Sequence, residues 1–210
     1  MKQRENTTQI PQSFAIKTIE YLNSLQECFN EEVISKIEAL YLDLHEAWAG
    51  HNSVYICGNG GSAANSLHIA NDLHYGIGVT HKESTVPGLS VEALPANTAI
   101  MSCLANDTGY ENVFSNQLVN KARENDILLV LSGSGNSPNI IKALETGNKL
   151  CLKTHAILAF DGGACKSLAR NSIHINVSDM QIAEDTQLII GHLCMQWLNK
   201  NKPTKLIQNG

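Results

Sequence analysis

The sequence predicts an α/β fold: a three-layer α-β-α sandwich, with a parallel sheet between helical layers and extra helices ahead of the first strand. Three observations predict it. From residue 53 onward, short apolar runs alternate with stretches of helical periodicity. The runs are apolar at successive positions, as strands covered on both faces must be, because neighbouring side chains point to opposite sides of a sheet. Residues 13–50 carry an amphipathic helical pattern before any such run begins.

Taken in order, residues 1–12 read as a polar N-terminal arm without the apolar core of a secretory signal. "SFAIKTIEYLNSLQECF" sets Ile16, Ile19, Leu22 and Leu25 at helical spacing. "EEVISKIEALYLDLHEAWAG" repeats the pattern and stops at Gly50, a residue that commonly ends helices. Two helices over 13–50 carry enough apolar surface to pack both on a sheet and on a second subunit. The alternation then runs "VYICG" and a helix over 63–76; "GLSVEAL" and helices over 96–105 and 109–122; "DILLVLSG" and a helix over 138–150. It ends with "THAILAF" and 163–169, then "SIHINV" and 181–199. Strand–helix–strand units of this kind cross over with a right hand. No fixed-period repeat, low-complexity tract or linker divides the chain, so it is effectively one domain, with the arm over 1–12, oligomerisation helices over 13–50 and the α/β body over 51–202.

Composition narrows the function. Fifteen basic residues against 20 acidic ones give a net charge of −5 with no polybasic patch, which argues against nucleic acid as a partner. No apolar run approaches the roughly 20 residues that span a bilayer, so no membrane association is expected. Cys28, Cys57, Cys103, Cys151, Cys165 and Cys194 form no CxxC pair, and most stand in apolar company such as "VYICG" and "IMSCLA". They read as buried, reduced thiols of a cytoplasmic protein.

Two loops fall at the carboxyl ends of strands, where open parallel sheets bind ligands. They are "CGNGGSA" over 57–63 and "LSGSGNSPN" over 131–139. Glycines let each backbone turn tightly, and the helix that follows presents free N–H groups and partial positive charge. Asn59, Gly60, Gly61 and Ser62 in the first loop, with Ser132, Gly133, Ser134 and Ser137 in the second, make an anion site suited to phosphate. Neither loop carries the lysine of a P-loop. Gly58, Gly60 and Ala63 match the dinucleotide fingerprint, but that fingerprint wants an acid about 20 residues on. Here the candidate, Glu92, stands 34 residues after Gly58, so no nucleotide cofactor is expected. Three serine hydroxyls around one turn suit the phosphate of a sugar phosphate.

His68 and Asp72, four apart on the helix behind the first loop, lie about 40° apart on one face. Glu184 and His192, eight apart on the last helix, lie within about 80° of each other. Two imidazoles and two carboxylates on helices that can approach the same loops form either a metal set or an acid–base set.

"CGNGGSAANSLHIANDL", "LANDTGYENVF" and "LSGSGNSPNIIKAL", in that order, resemble the sugar-isomerase (SIS) domain family, most closely the phosphoheptose isomerases, over nearly the whole chain. The resemblance implies a five-stranded sheet and a homotetramer with active sites at subunit interfaces. It implies conversion of a ketose phosphate to an aldose phosphate through an enediol, with sedoheptulose 7-phosphate giving D-glycero-D-manno-heptose 7-phosphate. It implies that Ser132, Ser134 and Ser137 hold the phosphate, that Asn59 and Ser62 join them, and that Asn106 and Asp107 approach the substrate hydroxyls. It further implies one zinc ion on His68, Asp72, Glu184 and His192, with Asp72 and His192 as the catalytic pair. Asp72 stands where the family has glutamate and Glu184 where it has glutamine; both keep an oxygen ligand. The family's arginine shortly after the Asp72 position is missing, and "HYGIG" offers His74 instead. The same resemblance leaves two rivals: a non-catalytic SIS adaptor for the replication initiator, whose carboxylate position is not acidic, and an isomerase or sensor for another sugar phosphate.

Overall fold

The structure, a computed structural model, describes residues 13–78 and 86–203; the polar arm over 1–12 lies outside them. Two helices come first, α1 (Phe14–Glu27) and α2 (Glu31–Gly50). Asn30 starts α2 by accepting the Val33 N–H at 3.0 Å, with Glu31 and Glu32 at the positive end of the helix, and left-handed His51 ends it. Then follow β1 (Ser53–Gly58), α3 (Gly61–Asn71), a π-helical turn (Asp72–Gly76), β2 (Ser90–Ala93), α4 (Thr98–Thr108) and α5 (Ser115–Lys121). The remainder is β3 (Ile127–Ser132), α6 (Pro138–Lys149), β4 (Lys153–Leu158), α7 (Cys165–Leu168), β5 (Asn171–His174) and α8 (Met180–Lys200).

All strand pairs are parallel, in the order β2-β1-β3-β4-β5. The pleat divides the core in two. Val54, Ile56, Leu129, Leu131, Ile157 and Ile173 face α2, α3 and α8, while Tyr55, Cys57, Leu128, Val130, Ala156 and Leu158 face α5, α6 and α7. This is the doubly covered sheet expected from the sequence. Chain order reverses between β1 and β3, so the loops after these two strands flank the switch point at which such sheets bind ligands.

α2 is fastened to the sheet by charge. Lys153 Nζ lies 2.6 Å from Asp43 Oδ1 and 2.5 Å from Glu46 Oε2. Fully buried His155 brings Nε2 within 3.0 Å of Asp43 Oδ2, off the line of a regular hydrogen bond. Asn171 donates to the Lys36 carbonyl at 2.9 Å and lies 3.0 Å from His155 Nδ1. Burial pushes the Asp43 carboxyl upward, but His155 and Lys153 outweigh it and hold the group at about 2.

Several elements differ from the sequence expectation. The helix expected over 63–76 starts at Gly61 and changes to a π-helical turn at Asp72. "GLSVEAL" is a strand only over Ser90–Ala93, because Gly88 and Leu89 lie against that turn. The helix expected over 109–122 divides into a 3₁₀ turn, Tyr110–Asn112, and α5. Cys103, expected inside, is exposed with Sγ 3.5 Å from Asp107 Oδ2, because α4 buries none of its residues. Cys151 is exposed too; Cys28, Cys57, Cys165 and Cys194 are buried.

Candidate active site

The two glycine- and serine-rich loops meet beyond β1 and β3 around a cavity of about 270 Å³. Asn59, Gly60, Gly61, Ser62, Ser132, Gly133, Ser134 and Ser137 all line it, with Leu131, Met180 and Glu184. Gly60, at φ +56°, occupies the left-handed region and starts α3 without a side-chain cap. Ser137 starts α6, and its hydroxyl does not cap that helix. The two helices thus begin at the cavity with first-turn N–H groups not taken by a capping side chain.

Hydrogen bonds fix the cradle's shape. Asn59 and Asn139 exchange amide bonds at 2.9 and 2.8 Å, tying the first loop to α6. Tyr110 Oη donates to Asn59 Oδ1 at 3.0 Å. Gln187 donates to Ser62 Oγ at 3.0 Å, which leaves the Ser62 proton for a ligand. Asn65 donates to Gln187 Oε1 and to the Glu184 carbonyl at 3.0 and 2.9 Å. In the second loop Ser132 Oγ accepts the Gly135 N–H at 3.0 Å.

α3 and α8 run side by side in the same direction, since Gly61 meets Glu184, Ile69 meets Gly191 and Gly76 meets Met195. Further along this pair, His68 Nε2 lies 2.9 Å from His192 Nε2, and each nitrogen lies 3.5 Å from Asp72 Oδ2. One ligand atom from each of the three lies within 4.8 Å of the others. Two imidazole nitrogens and a carboxylate oxygen fit zinc: three protein ligands with one position left open is the pattern of catalytic sites. An ion about 2.0–2.1 Å from each nitrogen needs the rings only slightly further apart than they stand.

Within the single chain, Glu184, the fourth expected ligand, lies apart from the trio. Eight residues along a helix advance it by about 12 Å, so Glu184 stands two turns short of His192. Its carboxylate lies over Gly61, where a side chain at 61 would strike it, and it lines the cradle rather than the trio. Asn106 and Asp107 bond each other at 2.7 Å near the end of α4 and do not line the cavity. His74 points back at the Leu89 carbonyl, 3.3 Å away. Asn65, Tyr110, Asn139, Met180 and Gln187 belong to the cradle without having been expected there. Of these, Asn139 closes the quoted "LSGSGNSPN" and could have been suspected from its place in that loop.

The profile of the SIS domain matches residues 19–159. The phosphoheptose isomerase of Chlorobaculum parvum is 34% identical over 178 residues, 84% of this chain and 83% of that protein. The phosphoheptose isomerase of Sulfurimonas denitrificans is 33% identical over 194 residues, 91% of this chain and 92% of that protein. Among solved structures, the phosphoheptose isomerase from Neisseria gonorrhoeae superposes with a TM-score of 0.79 at 22% identity, covering 89% of this chain and 96% of that one, which shows the shared fold.

Proposed function

The chain belongs to the SIS domain family, among the phosphoheptose isomerases, and from that membership we propose that it interconverts sedoheptulose 7-phosphate and D-glycero-D-manno-heptose 7-phosphate. One observation carries the reading: a single pair of helices, α3 and α8, has an anion cradle at its start and the His68–Asp72–His192 trio further along. Seven residues from Gly61 to His68 set the two about 10 Å apart, the reach of an extended sugar chain ending in a phosphate.

In this reading the uncapped helix ends and the hydroxyls of Ser62, Ser132, Ser134 and Ser137 hold the phosphate. Holding it there fixes the distant carbonyl end of the sugar beside the trio, so orientation is supplied by the anchor. Asp72 Oδ2 faces both imidazoles. We assign its other oxygen to take the proton from the carbon beside the carbonyl and, after exchange with solvent, to deliver a proton to the neighbouring carbon. His192 moves the proton between the two substrate oxygens through Nδ1, since Nε2 is the nitrogen turned to the trio. His68, Asp72 and His192 would hold zinc, which supplies Lewis-acid polarisation of those oxygens when bound. Glu184, by its position, is a cradle residue facing the substrate's middle hydroxyls.

We also propose a homotetramer with interfacial sites. α1 buries none of its residues in the single chain; Phe14, Ile16, Ile19 and Leu22 are exposed, and an apolar groove between α2 and α8 lies open at Ile34, Leu193 and Trp197. Asn106 and Asp107, away from their own chain's cavity, are then available to a neighbour's. The segment over 13–50 is the oligomerisation element and 51–202 the catalytic body. No helix among the described residues is long and apolar enough to cross a membrane. We place the protein in the cytoplasm, where its buried, unbridged thiols suit a reducing compartment.

Incubation of the purified protein with sedoheptulose 7-phosphate, followed by chromatography of the products, tests the function. Appearance of the aldose at a rate that falls on chelation and returns with zinc is expected. Binding of the sugar phosphate without turnover under any metal condition would leave a sensor or adaptor instead.

A further inference from the structure

Resting on the proposed isomerase reading, we infer that Gly88 is a positioning residue: the backbone of Gly88 and Leu89 holds the π-helical turn open and so sets where Asp72 meets His68 and His192. Asp72 is the first residue of that turn. A π-helical turn carries an extra residue, and such turns cluster at functional sites. Returning it to α-helical register would rotate one side against the other by about 100°. Something outside the helix must therefore favour the wider form.

The chain leading into β2 does so. Leu89 N–H donates to the Leu73 carbonyl at 3.1 Å, taking up an acceptor that an α-helix would satisfy internally. The Leu89 carbonyl lies 3.3 Å from His74 Nδ1. Between these contacts Gly88 passes so close to the turn that an added Cβ would lie 1.7 Å from the His74 carbonyl oxygen. Only glycine permits this approach. The segment is anchored from behind, where Trp48 Nε1 donates to the Pro87 carbonyl at 2.8 Å. Leu73 and Leu89 are both buried, so the joint is inside the protein. The line of contact runs from α2 through Pro87 and Gly88 to the turn and Asp72. None of these groups belongs to the cradle.

The test is a cobalt(II) titration of the full chain, read by the ion's visible absorption, beside kcat, KM and inorganic phosphate affinity. Gly88→Ala is expected to weaken cobalt binding and lower kcat, each about 10-fold or more, the size seen when outer supports of a metal site are lost. KM and phosphate affinity should stay within about 2-fold, because the cradle is not touched. Trp48→Phe keeps an aromatic ring but loses the bond to Pro87, and should give the same pattern a few-fold in size; it decides the matter if Gly88→Ala does not fold. Wild-type cobalt affinity and kcat in the readable variant overturn the inference. So does an equal loss of cobalt and phosphate binding, which reports general loosening. A wild-type chain that binds cobalt but turns over no sugar, with cobalt weakened by Gly88→Ala, sinks the isomerase reading and leaves the positioning role standing.

Discussion

At the start of the α3–α8 pair several polar side chains are buried and bonded to one another; further along, at the trio, they are more open. Asn139 and Gln187 are 2% and 1% exposed, and each bonds an amide or hydroxyl that itself lines the cavity. The side chains of His68 and His192 are 49% and 43% exposed, and Asp72 is 17%. The difference fits the roles proposed for the two ends. An anion anchor gains from donors fixed before the ligand arrives, because no reorganisation then opposes binding. A reacting end must admit an ion, a substrate carbonyl and moving protons, so it cannot be filled by its own side chains. Its order comes from the two helices and from the brace behind Asp72.

That contrast can be broken by substitution at either end. The largest effect belongs at the open end. Asp72→Asn removes the proposed base and should cut turnover about 10² to 10⁴-fold with KM changed only a few-fold; steady-state kinetics on the sugar phosphate measure it. An Asp72→Asn enzyme with raised KM and normal turnover would make this end an anchor too. Next in size is a change remote from both ends. Asp43 is held at about 2, below its ordinary 3.8, so its ionised form stabilises the fold at neutral pH, and that contribution fades as pH falls from about 4 to 2. Asp43→Asn should lose about 2 kcal/mol at pH 7 in denaturant melts and flatten that acid limb, with kcat and KM unmoved.

At the closed end, Ser137→Ala should raise KM about 10-fold at constant kcat, the cost of one hydrogen bond to a charged group. Because the Ser137 hydroxyl does not cap α6, thermal stability should hardly change. Smallest is Glu184→Gln. Removing a carboxylate from an anion cradle should tighten inorganic phosphate a few-fold, and the gain should shrink as salt is added. Calorimetric titration at low and high salt reads both.

Local signals made the strand–helix alternation, the glycine- and serine-rich loops and the four-residue spacing of His68 and Asp72 legible in the sequence. His192 was legible as a helical partner, because α3 and α8 cover the same face of the sheet. Within one chain Glu184 stands apart from the trio, because eight residues share a side of a helix but stand about 12 Å apart along it. Asn65 and Gln187 gave no signal, since their bonds close across 122 and 125 residues of chain. Nothing local announces the π-helical turn either. It depends on Gly88, which sits in a stretch that reads as the beginning of a strand and was expected to be one.

The central claim is that the cradle anchors and the trio moves the proton. Running the reaction in heavy water and following the product by NMR tests it most directly. The account predicts deuterium at the carbon beside the aldehyde with the wild-type chain, and entry slowed about 10² to 10⁴-fold with Asp72→Asn, while Asp72→Asn still binds inorganic phosphate with wild-type affinity. Deuterium entering at the wild-type rate in Asp72→Asn would contradict it.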